Sequence, residues 1–309
     1  MSVLLFEVAA APPMQVDEVT KLGQTLVNGL SFGSIYALAA LSLVLIYKAS
    51  EFVNFAFGEV AMFSTFIGFV FINSMKLPYW AGFLLALVFA ALLGSGIETI
   101  LIRPLRGANH LAQILVTIGL GTLLTGIAGW VWSFENQNFD DPVSGPPLIL
   151  GSLRIQQAAL LRIGITLVIA LMLFLFFRYT LVGKALRAMS QNPNAARLMG
   201  VNVNRLTTLT WALAAILGAV AGMLIAPITS LEPLFMASVA VNAFAAAVLG
   251  GFNSLPGAVL GGLVLGIVDN LVGVYLKGEL KSTFAFIIII GILVIRPNGL
   301  LGRTVRKKV

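Results

Sequence analysis

Three carboxylates, Glu59, Glu98 and Asp269, stand within or at the edge of apolar stretches, and two amides, Asn54 and Asn242, lie where such stretches begin or break. Groups of this kind bind a polar solute, relay a proton or tie helices together. An ionised carboxylate at the centre of a membrane span costs about 2.5–3.5 kcal/mol on insertion scales, so it faces protein or a wet cavity. Glu98 precedes Arg103 by five residues, a spacing that reads as a snorkelling ion pair with a structural role. Glu59 follows Gly58, where the chain can bend, and Asp269 adjoins Asn270; both stay open between helix-packing hydrogen bonds and a path-facing role. Covalent and metal chemistry are poorly supplied. With no cysteine and one histidine, His110, the chain lacks a thiolate nucleophile, a Cys-ligated metal site and a multi-His site. An intramembrane enzyme would rest on unsupported serines, so no catalytic residue and no metal site is expected.

The elements that must position these groups follow from composition. Of 309 residues, 59% are hydrophobic and 10% charged, against about 25% charged in an ordinary soluble domain. Mean hydropathy is +1.00. Residues 22–47, 77–97, 111–134, 206–231 and 233–268 carry no Asp, Glu, Lys or Arg, and each run is long enough to cross hydrocarbon as a helix. Such runs are far longer than the alternating segments of a transmembrane barrel. The expectation is an all-α, polytopic membrane protein forming a single transmembrane domain over 1–309. Proline, glycine and charge divide it into about nine segments, near 24–46, 53–74, 79–101, 111–133, 160–178, 206–228, 238–251, 256–276 and 282–296. The seventh is short for a full span. Residues 1–21 read as a retained, partly interfacial segment rather than a secretory signal, because Glu7 interrupts the apolar run and no basic leader precedes it.

Basic residues orient the chain, since short cytoplasmic loops retain Lys and Arg. An outside N-terminus and a cytoplasmic C-terminus put thirteen of the nineteen basic residues inside and leave the acidic loop Glu135–Gly151 outside. The net charge of +7 is thereby explained by the bilayer, and nucleic acid is not an expected partner. Gly218/Gly222, Gly257/Gly261 and Gly262/Gly266 are GxxxG pairs that let helices pack closely.

The segment 179–205 differs from the spans in being polar and basic. Asn192 can cap a helix that starts at Pro193, and Gly200 can close it, giving a short helix over 193–199 with Ala195, Leu198 and Met199 on one face and Arg197 on another. Such a helix can lie on lipid, fit a groove in a soluble partner, which its small alanines favour, or serve as a solvated connector. The residues Gly183, Ala185, Arg187, Ala188, Asn192, Pro193, Ala196, Gly200, Val201 and Asn202 resemble the coupling segment of LivH-type permeases, the family of branched-chain amino acid ABC importers. The likeness extends over nearly the whole chain through Asn28-Gly29-Leu30, Gly33-Ser34-Ile35-Tyr36-Ala37-Leu38, Asn54-Phe55-Ala56-Phe57-Gly58-Glu59, Arg103-Pro104-Leu105-Arg106-Gly107, Gly250-Gly251-Phe252-Asn253-Ser254-Leu255-Pro256-Gly257-Ala258 and Arg296-Pro297-Asn298-Gly299-Leu300.

The resemblance implies an ABC importer permease fold in the bacterial inner membrane, with Gly183, Ala185, Arg187, Asn192, Pro193, Ala195, Ala196 and Gly200 coupling to the ATPase. It also implies a second homologous permease subunit, two cytoplasmic ABC ATPase subunits that hold ATP and Mg, an extracytoplasmic solute-binding protein and surrounding lipid. No cofactor belongs to this chain, which has no Walker-type glycine-lysine motif. Asn54, Phe57, Glu59, Asn242 and Asp269 are the expected groups on the substrate path. The sequence departs from the family pattern at Phe57, where histidine is usual, at Asn253, where glycine is usual, and at Asp269, where glutamate is frequent. The expected cargo is therefore a hydrophobic or branched-chain amino acid or a close analogue. The alternatives are a secondary transporter of a small solute and a permease of the same family for urea or amides.

Overall fold

The structure is a computed structural model that describes residues 18–302 except 108, 144, 277, 279, 280 and 297, with the side chains of Lys281 and Ser282 also undescribed. The expected interfacial segment thus falls almost wholly outside the described residues, as do the terminal basic residues from Arg303 onward. Eleven α-helices and one small hairpin are described: α1 (Glu18–Ser50), α2 (Phe57–Phe69), α3 (Tyr79–Ile97), α4 (His110–Trp132), α5 (Gln157–Tyr179), α6 (Leu181–Gln191), α7 (Pro193–Leu198), α8 (Val203–Thr229), α9 (Met236–Gly250), α10 (Leu255–Tyr275) and α11 (Lys281–Ile295), with strands β1 (Leu148–Leu150) and β2 (Leu153–Ile155) between α4 and α5. Seven helices are long and apolar enough to cross a membrane, and the shorter apolar helices are Met236–Gly250 and Thr283–Ile295. The chain is an all-helical, multi-pass membrane protein. The nine expected segments coincide with these nine helices, but α2 starts at Phe57 rather than 53, because Glu51–Ala56 is a loop.

Helix α1 forms the centre. Within its most apolar window 89% of residues are buried, compared with 17% for α5 on the periphery. Lipid gives apolar side chains no reason to leave it, so helices associate where backbones can approach. Along α1, Gly29, Gly33 and Ala37 face Gly262 and Gly266 of α10. A Cβ on Gly29 would lie 2.8 Å from the Ile267 Cα, and one on Gly33 would lie 2.9 Å from the Gly262 carbonyl oxygen. A Cβ on Gly266 would enter the Gly33 backbone. Helix α8 packs beside α1, α2 and α3 by the same means: Gly222 lies against Thr65 of α2, and Gly94 of α3 sits under the Trp211 carbonyl. The Ser42 hydroxyl adds a 2.8 Å bond to the Ala214 carbonyl across the α1–α8 contact. Helices α3, α4 and α5 turn Leu84, Val88, Leu123, Leu167 and Leu171 outward, as a lipid-facing layer does.

The two last sequence motifs meet at the corner between α9 and α10. Gly251 has φ +96° and Gly299 φ +76°, conformations that glycine adopts without strain. The amides of Leu300 and Leu301 donate to the carbonyls of Leu249 and Gly250, at 2.8 and 3.2 Å. At the opposite end, the hairpin rests on the start of α1, with Leu153 against Gly23 and a 3.2 Å bond from the Arg154 amide to Gln24. Arg162 of α5 is buried, donates to the Leu224 carbonyl at 3.2 Å and pairs with Asp141 at 2.6 Å. Proline at 227 has no N–H to return to the Met223 carbonyl, and Arg162 bonds the next carbonyl along, that of Leu224.

The glycine contacts define a test. Gly266→Leu forces side-chain atoms into backbone and is expected to destabilise the protein by about 3 kcal/mol or more, the upper range for overpacking. Gly126→Leu, where a Cβ meets nothing within 4 Å, is expected to stay within about 0.5 kcal/mol. Thermal melting of the purified protein in detergent distinguishes them, and equal melting of the two variants would refute the α1–α10 contact.

Candidate functional site

The polar segment after α5 holds two short helices rather than one. Thr180 caps α6 by accepting from the Gly183 amide at 2.9 Å, and the chain reverses so tightly that a Cβ on Gly183 would lie 2.6 Å from the Phe177 Cα. Gly183, Leu186 and Met189 face inward at intervals of three residues, Ala185 is half-buried, and Arg187 is exposed. Sequence reasoning did not recognise α6. Its signal was the apolar spacing of Leu186 and Met189 behind a threonine cap.

Asn192 performs the expected capping role. Its Oδ1 accepts from the amides of Asn194 at 3.1 Å and Ala195 at 3.0 Å, and Pro193 occupies the first helical position. The helix ends at Leu198, one residue short of the expected 193–199, because Gly200 at φ +81° turns the chain and the Val201 amide returns to the Ala196 carbonyl at 3.0 Å. Ala196 is 4% exposed and packs into its own chain, whereas Leu198 is 90% and Met199 84% exposed. The exposed face is therefore Ala195, Leu198 and Met199, and Ala196 supports it from within.

Within the membrane helices the five expected path residues divide into separate groups. Asn54 is buried and its Oδ1 accepts from the Ala56 amide at 3.0 Å, which shapes the loop leading into α2. Asn54 and Phe57 line a cleft with Ser42, Trp211 and Ala215 that leaves about 10 Å³ for the centre of a water molecule, room for about one. Phe57 is 6% exposed and belongs to the core. Glu59 points the other way, half-buried against Gly121 of α4, with its Oε2 buried and without a hydrogen-bond partner among the described residues. Asn242 and Asp269 instead meet at Tyr36, which sequence reasoning did not single out. The Tyr36 hydroxyl donates to Asp269 Oδ2 at 3.2 Å, and the Asn242 side chain lies beside the same hydroxyl. All three side chains are buried between α1, α9 and α10, an arrangement that suits helix packing.

Glu98 is fully buried, which corrects the expectation of a snorkelling pair at the interface. Helix α3 continues into a π turn over Glu98–Ile102 and a 3-10 turn over Arg103–Leu105. A π turn closes after five residues, so residue i+5 returns to the face of residue i. Arg103 accordingly bonds Glu98 twice, by its amide to the Glu98 carbonyl and by Nη2 to Oε2 at 2.9 Å. Arg106 bonds the other carboxylate oxygen and Asn204, and the Thr208 hydroxyl donates to Oε2 at 2.6 Å. Burial holds the Arg106 guanidinium below its ordinary pKa against the pull of Glu98, and Arg103 and Arg197 add to the lowering. Among the described residues no group of three or more His, Cys, Asp or Glu is placed to hold a metal ion.

The chain matches the family described as branched-chain amino acid transport system, permease component, over residues 25–293. It is 32% identical over 300 residues to the high-affinity branched-chain amino acid transport system permease protein LivH of Salmonella typhimurium, covering 93% of this chain and 97% of that protein. The corresponding permease protein BraD of Pseudomonas aeruginosa is 32% identical over 299 residues, with the same coverage of each chain. A probable LivH of Methanocaldococcus jannaschii is 26% identical over 297 residues, covering 91% and 93%. No solved structure matches the chain. Aligned almost end to end with proteins of this one kind, and built of apolar membrane helices around a capped polar segment, the chain belongs to the permease-component family of branched-chain amino acid transport systems.

Proposed function

We propose that the chain is one of two homologous permease subunits of an ABC importer in the bacterial inner membrane, non-catalytic itself and driven by two cytoplasmic ATPases that hold ATP and Mg. An extracytoplasmic solute-binding protein delivers the solute. The observation that carries this reading is the segment 179–205: a rigid, doubly capped turn that presents Ala195, Leu198 and Met199 to the outside of the chain. A solvated connector has no reason to expose two large apolar side chains at its tip. A secondary transporter has no use for such a tip either. The reading takes all nine apolar helices as membrane segments, with the N-terminus outside and the C-terminus in the cytoplasm. Helices α9 and α11, fifteen residues each, reach about 22 Å of the roughly 30 Å hydrocarbon core.

The cargo is a hydrophobic or branched-chain amino acid or a close analogue. The relatives' names support it, and so does the scarcity of charge within the spans: a phosphate would want converging Arg or Lys, and a sugar many hydrogen-bonding groups. Glu59 is the strongest of the five expected path groups, because its carboxylate is half-buried at the side of α2 rather than enclosed. Asn54 and Phe57 shape the loop behind it, and Asn242 and Asp269 hold helices together. Phe57, where the resemblance expects histidine, leaves a permease for urea or a short amide as the second reading.

Because the chain lacks cysteine, single cysteines report orientation directly: in intact cells an impermeant thiol reagent is expected to label position 138 and spare position 194. The opposite pattern would reverse the topology. Coupling is tested by Leu198→Glu and Ala195→Glu, which are expected to lower transport about ten-fold or more while the protein still inserts in normal amount, the scale of a lost interface anchor. Unchanged uptake in both would remove α7 from the ATPase contact. In proteoliposomes holding the full complex, ATP-dependent uptake of leucine, valine, alanine and phenylalanine is expected, and none of ribose. Uptake of urea or a short amide alone would keep the machine and change the cargo.

A further inference from the structure

We propose that Glu98 is a positioning residue at a joint that carries movement of the coupling segment into helix α3; the proposal rests on the permease reading above and names the route within the chain. Helix α7 leads through Gly200 and Val201 directly into α8, whose first turn is capped by Asn202 accepting from the Arg205 amide at 3.1 Å. Asn204 and Thr208, four residues apart, lie on one face of that turn. Both are bonded to the end of α3: Asn204 by Arg106, and Thr208 by Glu98 at 2.6 Å and Arg103 at 2.7 Å. The start of α8 and the turns that end α3 are thereby fastened by a polar cluster centred on the Glu98 carboxylate.

The geometry is more elaborate than anchoring requires. One arginine neutralises a carboxylate, and a buried ion pair adds little net stability over apolar packing; what it fixes is relative position. Here the helix departs from α geometry over eight residues, 98–105, and this departure brings two guanidinium groups onto Glu98. Arg103 retains a buried Nε that bonds nothing among the described residues, a spare donor for a second arrangement of the same groups. Arg197, on α7 itself, lies close enough to Arg106 to oppose its charge. A displacement of α7 therefore alters the field at Arg106 and, through α8, the position of two of its partners.

Thr208→Val and Asn204→Ala remove single bonds at the rim of this joint, and Glu98→Gln removes its charge. The measurement is leucine taken up per ATP hydrolysed, in proteoliposomes holding the full complex. Thr208→Val is expected to assemble and hydrolyse ATP as the parent does while leucine per ATP falls about five-fold or more, the scale of a lost coupling interaction. If yield and melting temperature fall and leucine per ATP stays at the parent value, the network is structural packing and the proposal is overturned. A second measurement needs no cargo. Spin labels on Ile100→Cys and Asn194→Cys are expected to give one narrow distance in the chain alone, broadened by Thr208→Val or Glu98→Gln; an unchanged distribution in both variants also overturns the joint. A parent complex that takes up no leucine with ATP would defeat the permease reading for that cargo and leave the distance measurement to judge the joint.

Discussion

Where Gly29 and Gly33 of α1 meet Gly262 and Gly266 of α10 there is no room for a side chain, and the remaining helices are arranged around that contact. Gly29, Gly33 and Ala37 meet Gly262 and Gly266 at backbone distance, so the two helices are fixed in register as well as in spacing. Register has a chemical consequence three residues further along each helix. Tyr36 follows Gly33 and Asp269 follows Gly266, and the seam brings the phenol hydroxyl and the carboxylate together in the middle of the bundle, where α9 adds Asn242. A polar group in this interior needs a partner, and the glycine seam supplies it by geometry.

The two deeply buried carboxylates are accommodated in different ways. Asp269 is met by a phenol hydroxyl, within the helix bundle. Glu98 is met by two guanidinium groups and a threonine hydroxyl where α3 ends against α8. The first meets the carboxylate with a hydroxyl between packed helices. The second concentrates charge where the chain leaves the bilayer, beside the only extended polar segment between apolar helices that carries several basic residues. Both solutions remove a carboxylate from lipid, and the second joins two membrane helices where the polar segment enters one of them.

Much of the fold was legible because lipid imposes a simple rule on composition: charge-free runs of sufficient length mark the helices, and eight of the nine expected segments have boundaries within about four residues of those observed, the exception being α1, which starts six residues before the expected 24 because its first turns are polar. The segment entering α2 was placed four residues early because 53–56 is as apolar as a helix and only Asn54, bonding its own loop, shows otherwise. The cap at Asn192 and the turn at Gly200 were legible since both rest on local backbone chemistry. What depends on distant pairing was not. Nothing local marks Tyr36 as the partner of Asp269, or Thr208 as that of Glu98, across 233 and 110 residues respectively. The π turn was hidden as well, although the five-residue interval between Glu98 and Arg103 is its trace in the sequence.

The corner between α9 and α10 is closed by residues that lie beyond α11 in the chain. Leu249 and Gly250 receive their bonds from Leu300 and Leu301, some fifty residues later, and Gly251 lies against Asn298 and Gly302. During synthesis α9 and α10 are therefore made with this corner still open, and it closes only once residues 298–302 have followed. A chain cut before residue 298 leaves the Leu249 and Gly250 carbonyls without these bonds and the corner unlatched.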